Sequence, residues 1–389
     1  MEGAWKMNNI MDYLDWRGDL SFERDPINEV DSLILSLISY NDFEGIVPGV
    51  GSKESIGLRE AAEIFGKNKD ISHLEDIPFL NEIPGLLHKA AETERYGSLK
   101  LTWFVNQVDP EATKQFAAVT IKLTEKLNFI SFRGTDDTLA GWKEDLQMSF
   151  MEEVQSQKEA VAYTERAMMS IRGDFILGGH SKGGNLAIYA ASRMTELNKA
   201  RINAIYNNDG PGFQPEVVQR EGYRSIVDRI HTFLPESSIV GMLLEHGTEY
   251  DVVKSTGLAI TQHNPFIWEV VGNKFILVDS LSKESLNITT AIRSWITQLS
   301  HDERREFVDA LFQVLSETGA TSLAELTNEK FGAAVAMIKA LKTMDPTSKG
   351  HLKTTIELLF DEARKVIRKS IADDIDSFIT RRTKKKLEE

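Results

Sequence analysis

The residues with the clearest chemical potential lie in the segment Gly179-His180-Ser181-Lys182-Gly183, which has the form G-x-S-x-G. A short apolar run, Phe175 to Leu177, precedes this segment, and a helix-forming stretch follows it. In that context the pattern predicts a nucleophile elbow, a strand-to-helix turn so tight that only glycine fits on either side of the serine. Unpaired N–H groups and the helix dipole favour developing negative charge at such a turn. The segment therefore predicts nucleophilic catalysis by Ser181.

Lys182 is unusual at this position, because a cation in the first turn of a helix opposes the helix dipole by ~0.3–1 kcal/mol. We expect its ammonium group to point into solvent. The alternative is that the ammonium group contacts an anionic part of the substrate. The backbone N–H of Lys182 directly follows the nucleophile, and it is an expected donor to the oxyanion of a tetrahedral intermediate.

A serine nucleophile needs a base, and the sequence offers several histidines after Ser181. His263 lies in Thr261-Gln-His-Asn-Pro265, a predicted turn late in the chain. A late loop is where a hydrolase with the order serine, acid, histidine carries its base, so His263 is the preferred candidate. His246 follows an apolar run and is predicted to end a helix. The other histidines after the serine are assigned to a strand or to exposed helix positions: His231, His301 and His351.

The acid that orients the histidine should lie between Ser181 and His263, at the end of a strand. Asp209 meets this condition, because it follows the apolar segment Ile202 to Tyr206, 28 residues after the serine (209 − 181), and is followed by glycines. Glu236 is the alternative acid. Asp209 has a competing structural role, since aspartate before glycine often closes a turn with its own side chain.

Two strands are predicted ahead of the elbow, at 116–123 and 127–132, from their β-branched, apolar and alternating residues. Only Thr124 to Lys126 separate them, so a hairpin is expected. The second strand leads directly into Arg133-Gly134-Thr135, and an amphipathic helix at 152–172 should return the chain to the strand of the elbow.

The segment Phe132-Arg-Gly-Thr135, followed by Gly141-Trp142 and Asp145-Leu146, resembles the corresponding part of class 3, fungal-type triacylglycerol lipases. Their elbow reads G-H-S-x-G, as it does here, and the resemblance covers roughly residues 100–280. It implies an α/β-hydrolase fold and an oxyanion hole that includes the hydroxy residue after Arg-Gly, which is Thr135 here. The expected donor is the Thr135 backbone N–H, and its hydroxyl is a second candidate.

The sequence departs from the class 3 pattern at the acid. The segment of those lipases reads Asp-Ile-Val-Pro, and the counterpart here is Ser238-Ile-Val-Gly241, so a serine stands where the family has its aspartate. The carboxylate has then either moved to Asp209 or is supplied by Glu236. The whole chain most resembles an uncharacterised bacterial lipase-like family. Two further segments carry this resemblance, Tyr13-Leu-Asp-Trp and Asn208-Asp-Gly-Pro-Gly-Phe213.

Composition excludes several classes of function. A net charge of −14 argues against nucleic acid as a partner, and the absence of cysteine excludes disulfides, thiolate metal sites and cysteine nucleophiles. There is no P-loop, dinucleotide fingerprint or metal-ligand cluster, so no cofactor and no metal are predicted. Without a secretory signal or a long apolar run, we expect a cytoplasmic bacterial protein with no membrane span. Transient contact with a membrane surface and the oligomeric state stay open.

The chain divides into four predicted parts. Residues 1–98 form a helical arm packed on the core, 99–281 the α/β-hydrolase core with a mostly parallel sheet, 282–380 a helical C-terminal extension, and 381–389 a basic, disordered tail. The extension contains predicted amphipathic helices at 288–299, 302–315, 322–340 and 352–379.

These patterns predict a serine hydrolase that cleaves carboxylic esters, of lipid or acyl type, through an acyl-enzyme intermediate. Ser181 is the nucleophile, His263 the base and Asp209 the acid, with Thr135 and Lys182 in the oxyanion hole. The alternative is a binding or regulatory protein of the same fold with little or no turnover.

Overall fold

The structure, a computed structural model, describes residues 9–74, 77, 79–257 and 259–322, together with residues 325, 346, 349, 350, 353, 354 and 357. In this part of the chain the strands are β1 (Ile56–Gly57), β2 (Lys100–Asp109), β3 (Lys114–Lys122), β4 (Leu127–Phe132), β5 (Asp174–His180), β6 (Ile202–Asn208), β7 (Ile230–Pro235), β8 (Asp251–Val253), β9 (Val270–Val271), β10 (Lys274–Phe275) and β11 (Leu277–Val278).

The α-helices of the same part are α1 (Ile10–Arg17), α2 (Glu29–Ile38), α3 (Leu58–Asn68), α4 (Ile83–Glu92), α5 (Glu94–Gly97), α6 (Leu139–Gln147), α7 (Gln155–Ser170), α8 (Lys182–Arg193), α9 (Glu196–Lys199), α10 (Pro215–Val218), α11 (Glu221–Arg224), α12 (Lys283–Gln298) and α13 (His301–Ser316). Short 3-10 helices lie at Ser72–Leu74, Leu80–Glu82, Val227–Arg229, Ala259–His263 and Pro265–Ile267.

A single large sheet organises the chain, with the strand order β1-β2-β3-β4-β5-β6-β7-β8-β11. The pairs from β4 to β8 are parallel, whereas β1 to β4 and the β8–β11 pair are antiparallel. The expected α/β architecture is confirmed. The sheet is less parallel than predicted, because antiparallel strands extend it at both edges. The carboxyl ends of the parallel strands lie together along one side of the sheet, called the carboxyl edge below. There α/β proteins place their ligands and catalytic groups.

The hairpin ahead of the elbow forms as predicted. Strands β3 and β4 pair antiparallel with Thr120 opposite Ile130, and the short connection between them begins after Lys122. The hairpin extends on its other side to β2, which was not predicted. Strand β4 therefore lies between an antiparallel neighbour and the parallel strand β5, and it directs residues 133–135 to the carboxyl edge beside the end of β5.

Helices cover both faces of the central strands, and the residues of β5 alternate between them. Ile176 packs into a core formed largely with the N-terminal helices, including α2. Phe175 and Leu177 pack into a second core with α7 and α8. Because both faces are buried, these strands consist of continuous apolar runs, as buried parallel strands usually do. Helix α7 occupies most of the predicted 152–172 segment.

The N-terminal helices are held to each other by a buried ion pair. The guanidinium group of Arg95 donates to both carboxylate oxygens of Asp31, at 2.8 and 2.5 Å, and Tyr13 and Tyr96 donate their hydroxyls to the same carboxylate. Removing one member of such a fully buried pair usually costs about 3–5 kcal/mol. Helix α2, which carries Asp31, is thereby tied to α1 and α5.

The C-terminal helices that the structure describes pack against α6. Helices α12 and α13 occupy the predicted segments 288–299 and 302–315, and Ser300 and Glu303 form a capping box at the start of α13. Apolar residues of α13 and α6 share one cluster. The predicted helices at 322–340 and 352–379 lie almost entirely outside the described residues, and the tail 381–389 lies wholly outside them. No described helix is long and apolar enough to span a membrane.

Candidate active site

Ser181 occupies a strained turn between β5 and α8. Its backbone has φ 58° and ψ −137°, a region in which a non-glycine residue costs on the order of 1–3 kcal/mol. The glycines of the motif are required by space: a Cβ atom at Gly179 would lie 2.2 Å from the carbonyl carbon of Gly183, and one at Gly183 would lie 2.1 Å from the Phe132 carbonyl oxygen. Ser181 is 7% exposed. The geometry is that of a nucleophile elbow at the carboxyl edge of the sheet.

His263, the last residue of the 3-10 helix Ala259–His263, contacts Asp209 in the loop after β6. The Nδ1 atom of His263 lies 2.6 Å from Oδ2 of Asp209, whose side chain is fully buried. Asp209 directly follows β6, and its own N–H donates to the Phe233 carbonyl oxygen at 2.9 Å. A carboxylate can only accept, so Nδ1 of His263 carries the proton. The Nε2 atom of the neutral ring is then an acceptor, which is the form that a general base requires.

The other oxygen of Asp209 is held by the loop that follows β7. Oδ1 accepts a hydrogen bond from the Ser238 hydroxyl at 2.5 Å and from the Gly241 N–H at 3.2 Å. A Cβ atom at Gly241 would lie 2.4 Å from this oxygen, so the position needs glycine. Ser238 is the residue that the resemblance to class 3 lipases matched to their aspartate. It supports a carboxylate that projects from the neighbouring strand.

Glu236, the alternative acid, is placed differently. Its backbone N–H donates to the Val253 carbonyl oxygen at 3.0 Å, and its carbonyl accepts from the Ser282 N–H at 2.6 Å. Its carboxylate forms no hydrogen bond or ion pair with any residue that the structure describes. The structure therefore brings Asp209, rather than Glu236, to His263.

Thr135 lies in the loop that follows β4, where the resemblance implied an oxyanion hole. Its hydroxyl donates to Oδ2 of Asp145 on α6, at 2.5 Å. With its hydrogen atom directed at the carboxylate, the hydroxyl has none left for an oxyanion, and the backbone N–H of Thr135 is the remaining donor. Gly134 before it lies against the elbow, because a Cβ atom there would be 2.9 Å from the Ser181 Cβ atom and 2.1 Å from the Tyr40 hydroxyl.

The expectation that the Lys182 ammonium points into solvent is wrong. Lys182 is 1% exposed, and its Nζ atom lies 3.0 Å from Oε2 of Glu144 and 3.5 Å from Oδ1 of Asp145. Burial acts to lower the pKa of Lys182, but the carboxylates of Asp145 and Glu144 outweigh it and raise the pKa above its ordinary value. These two carboxylates offset the unfavourable interaction of the Lys182 charge with the dipole of α8. They lie on α6, far from Lys182 in sequence, so the residues around Lys182 did not indicate that it would be buried.

The match to a family model decides which family this is. The model described as Mbeg1-like matches residues 90–313, a range that includes Thr135, Ser181, Lys182, Asp209, Glu236 and His263. The chain belongs to the Mbeg1-like family. Members of this family are lipase-like proteins. None of the curated proteins gives a significant match.

Solved structures with some likeness to this Mbeg1-like chain include two fungal lipases. The Rhizomucor miehei lipase propeptide complex in its native form is 16% identical, covers 65% of this chain and 73% of its own, and has a TM-score of 0.36. A mutant form of MDLA from Penicillium cyclopium is 12% identical, covers 63% of this chain and 83% of its own, and has a TM-score of 0.35. Likeness at these TM-scores does not establish a shared activity.

His180 and Tyr40 complete the site of this Mbeg1-like chain, and sequence reasoning assigned neither a role. The Nε2 atom of His180 lies 3.0 Å from the His263 carbonyl oxygen, and Tyr40 Oη lies 3.2 Å from Nδ1 of His180. A carbonyl only accepts, so Nε2 donates to it, and the neutral ring accepts from Tyr40 at Nδ1. Burial, reinforced by the neighbouring His263 ring, lowers the pKa of His180 well below its ordinary value and keeps it neutral. The available signal was that histidine directly precedes the nucleophile.

His246 does not end a helix, contrary to prediction. It lies in the irregular segment after β7, where its Nε2 atom forms a hydrogen bond with the Gly241 carbonyl oxygen. The apolar residues before it are buried or half-buried by contacts distant in sequence rather than on a helix face. No group of three or more histidines and carboxylates among the described residues is arranged to hold a metal ion.

Proposed function

We propose that this protein is a serine hydrolase that cleaves carboxylic esters through an acyl-enzyme intermediate. The observation that carries the proposal is the 2.6 Å contact between His263 Nδ1 and Asp209 Oδ2, beside a serine held in the backbone conformation of a nucleophile elbow. The parallel strands that end at this site support an α/β-hydrolase fold. Membership of a family of lipase-like proteins favours lipid or acyl esters as the substrate class.

In the proposed reaction, the Ser181 oxygen attacks the ester carbonyl carbon while Nε2 of His263 accepts the hydroxyl proton. Asp209 holds the imidazole in the required tautomer and stabilises the imidazolium that forms. The backbone N–H groups of Thr135 and Lys182 donate to the oxyanion of the tetrahedral intermediate. The carbon–oxygen bond to the alcohol then breaks, and His263 returns the proton to the departing alcohol. A water molecule, deprotonated by His263, then attacks the carbonyl carbon of the acyl-enzyme. The bond to the Ser181 oxygen breaks, His263 returns the proton to that oxygen, and the carboxylic acid is released.

Reaction with a fluorophosphonate probe tests the proposal directly, because the probe labels a serine only when a base activates it. The wild-type protein should be labelled at Ser181 and should hydrolyse p-nitrophenyl esters, while Ser181→Ala should show neither property. A series of p-nitrophenyl esters of increasing acyl length would then define the preferred substrate. A wild-type protein that is neither labelled nor active on any ester of the series would contradict the proposal.

The second candidate function is a binding or regulatory role with little turnover. The observation in its favour is the low exposure of Ser181, which leaves little room for an ester to approach in this conformation. The labelling experiment separates the two functions, because a binding protein would keep its fold and leave the probe unreacted.

A further inference from the structure

We propose that the side chain of Lys182 is a positioning residue that fixes the two halves of the oxyanion hole relative to each other. This inference rests on the proposed function. The two expected N–H donors lie on separate segments, one at Thr135 in the loop after β4 and one at Lys182, the first residue of α8. The Lys182 ammonium group connects these two segments through the carboxylates of Glu144 and Asp145 on α6.

The energetics of burial point to a role beyond filling space. Taking an ammonium group out of water costs several kcal/mol, by order of magnitude, and well-packed apolar residues often replace a buried ion pair without loss of stability. Methionine has nearly the length of lysine and would occupy the same 1%-exposed position on α8. A buried charge at this position needs oppositely charged partners in a fixed geometry. An apolar side chain would need no such partners.

Glu144 provides the first fixed partner. Besides the Lys182 ammonium at 3.0 Å, its carboxylate accepts from the Gln115 N–H at 3.1 Å and the Ser156 N–H at 2.7 Å. These donors belong to β3 and to the first turn of α7. Lys182 is therefore tied through Glu144 to the sheet and to the helix that precedes the elbow.

Asp145 provides the connection to the other half of the oxyanion hole. One of its oxygens lies 3.5 Å from the Lys182 ammonium, and the other accepts the Thr135 hydroxyl. The path from Lys182 through Asp145 to Thr135 thus joins the two residues whose backbone N–H groups must point at one oxygen. Oxyanion donors are effective only when their geometry is set before the charge develops.

The test compares Lys182→Met with Lys199→Met in the intact chain. Lys199 is a suitable control because it is also buried and paired, with Glu196 and Ser225, but it lies before β6 at the opposite edge of the sheet. We expect Lys182→Met to lower kcat by roughly 10- to 100-fold with KM changed less than about twofold, a fraction of the loss seen when an oxyanion donor is removed. Lys199→Met should leave both constants near wild type.

Affinity for a boronic acid gives a readout that does not depend on turnover, because the tetrahedral adduct on Ser181 places an oxygen in the oxyanion hole. The inhibition constant should rise in Lys182→Met by about the factor lost in kcat. If this variant does not fold, Lys182→Met combined with Glu144→Gln avoids an unpaired charge on Glu144 and should show the same two changes.

The outcomes separate this inference from the function on which it rests. A folded Lys182 variant with wild-type kcat and boronic acid affinity, in a protein whose Ser181 reacts with fluorophosphonate, would overturn the positioning role alone. Equal losses in Lys182→Met and Lys199→Met would also overturn it, since removal of any buried lysine would then suffice. A wild-type protein that neither reacts with the probe nor hydrolyses esters would overturn both proposals.

Discussion

The hydroxyl of Ser238 donates to Oδ1 of Asp209 at 2.5 Å, while the other oxygen of the same carboxylate lies 2.6 Å from His263. Ser238 is the residue that the resemblance matched to the acid of the class 3 pattern. The carboxylate that contacts His263 belongs to Asp209 directly after β6, and Ser238 in the segment after β7 holds it. The segment after β7 therefore helps to fix the orientation of the Asp209 carboxylate towards His263.

Asp209→Asn should keep the shape of the site but favour the wrong tautomer of His263. In the well-studied serine protease triad, the equivalent change lowers kcat by about 10⁴, and we expect a loss of that order in ester hydrolysis. Glu236→Gln is the matched control, because the Glu236 carboxylate has no bond to any described residue. A larger loss in Glu236→Gln than in Asp209→Asn would reverse the assignment of the acid.

Ser238→Ala should lower kcat/KM by about tenfold, because a hydrogen bond to a charged group contributes about 1.5–3 kcal/mol and the Gly241 N–H remains in place. Ser237→Ala is the control, since the Ser237 hydroxyl pairs with Ser282 instead. In an Asp209→Asn background the Ser238 change should add little, because its effect passes through the carboxylate. Additive losses in that double variant would show that Ser238 acts by another route.

His263→Ala should be as damaging to turnover as Ser181→Ala, and the double variant should be no worse than either, because the members of a triad act as a unit. His246→Ala should leave kcat near wild type, since its ring contacts the Gly241 carbonyl rather than the proposed base. It should lower the melting temperature, because it removes a buried side chain and its hydrogen bond. Loss of turnover in His246→Ala without loss of stability would mean that His246, rather than His263, is the base.

Stability should fall as the pH drops below 6.5, the ordinary pKa of histidine. Burial keeps His180 neutral in the folded state. Burial is also the main reason why the pKa values of His246 and His231 are lowered. The unfolded chain then binds more protons, so the unfolding free energy is full above 6.5 and declines towards the folded-state pKa values. Each histidine can contribute up to about 1.4 kcal/mol per pH unit.

Urea unfolding at several pH values between 5 and 8, roughly the range in which histidine titrates, measures this decline. His180→Gln keeps a polar side chain between Tyr40 and the His263 carbonyl. The slope of the unfolding free energy against pH should decrease in this variant by the equivalent of nearly one bound proton. An unchanged pH dependence in His180→Gln would mean that His180 is protonated to the same extent in both states.

The sequence by itself determined the elements whose signals are local. The elbow at Ser181 was predictable because its glycines and the flanking apolar and helix-forming runs are contiguous, and the steric need for glycine at 179 and 183 follows from the turn alone. The hairpin of β3 and β4 was predictable for the same reason. Loop position and chain order also favoured His263 and Asp209. Their catalytic roles, the domain boundaries, the bacterial origin and the cytoplasmic location stay predictions.

Only the tertiary structure decided the relationships between residues far apart in the chain. The environment of Lys182 was mispredicted because the cost of burying an ammonium group depends on Glu144 and Asp145, which precede it by a helix and a strand. The contact of Tyr40 with His180 joins residues 140 positions apart, and Ser238 reaches Asp209 across neighbouring strands. Local propensity carries no information on such contacts, because the order of strands in the sheet sets them. That order placed one carboxylate at His263 and one buried cation beside Ser181.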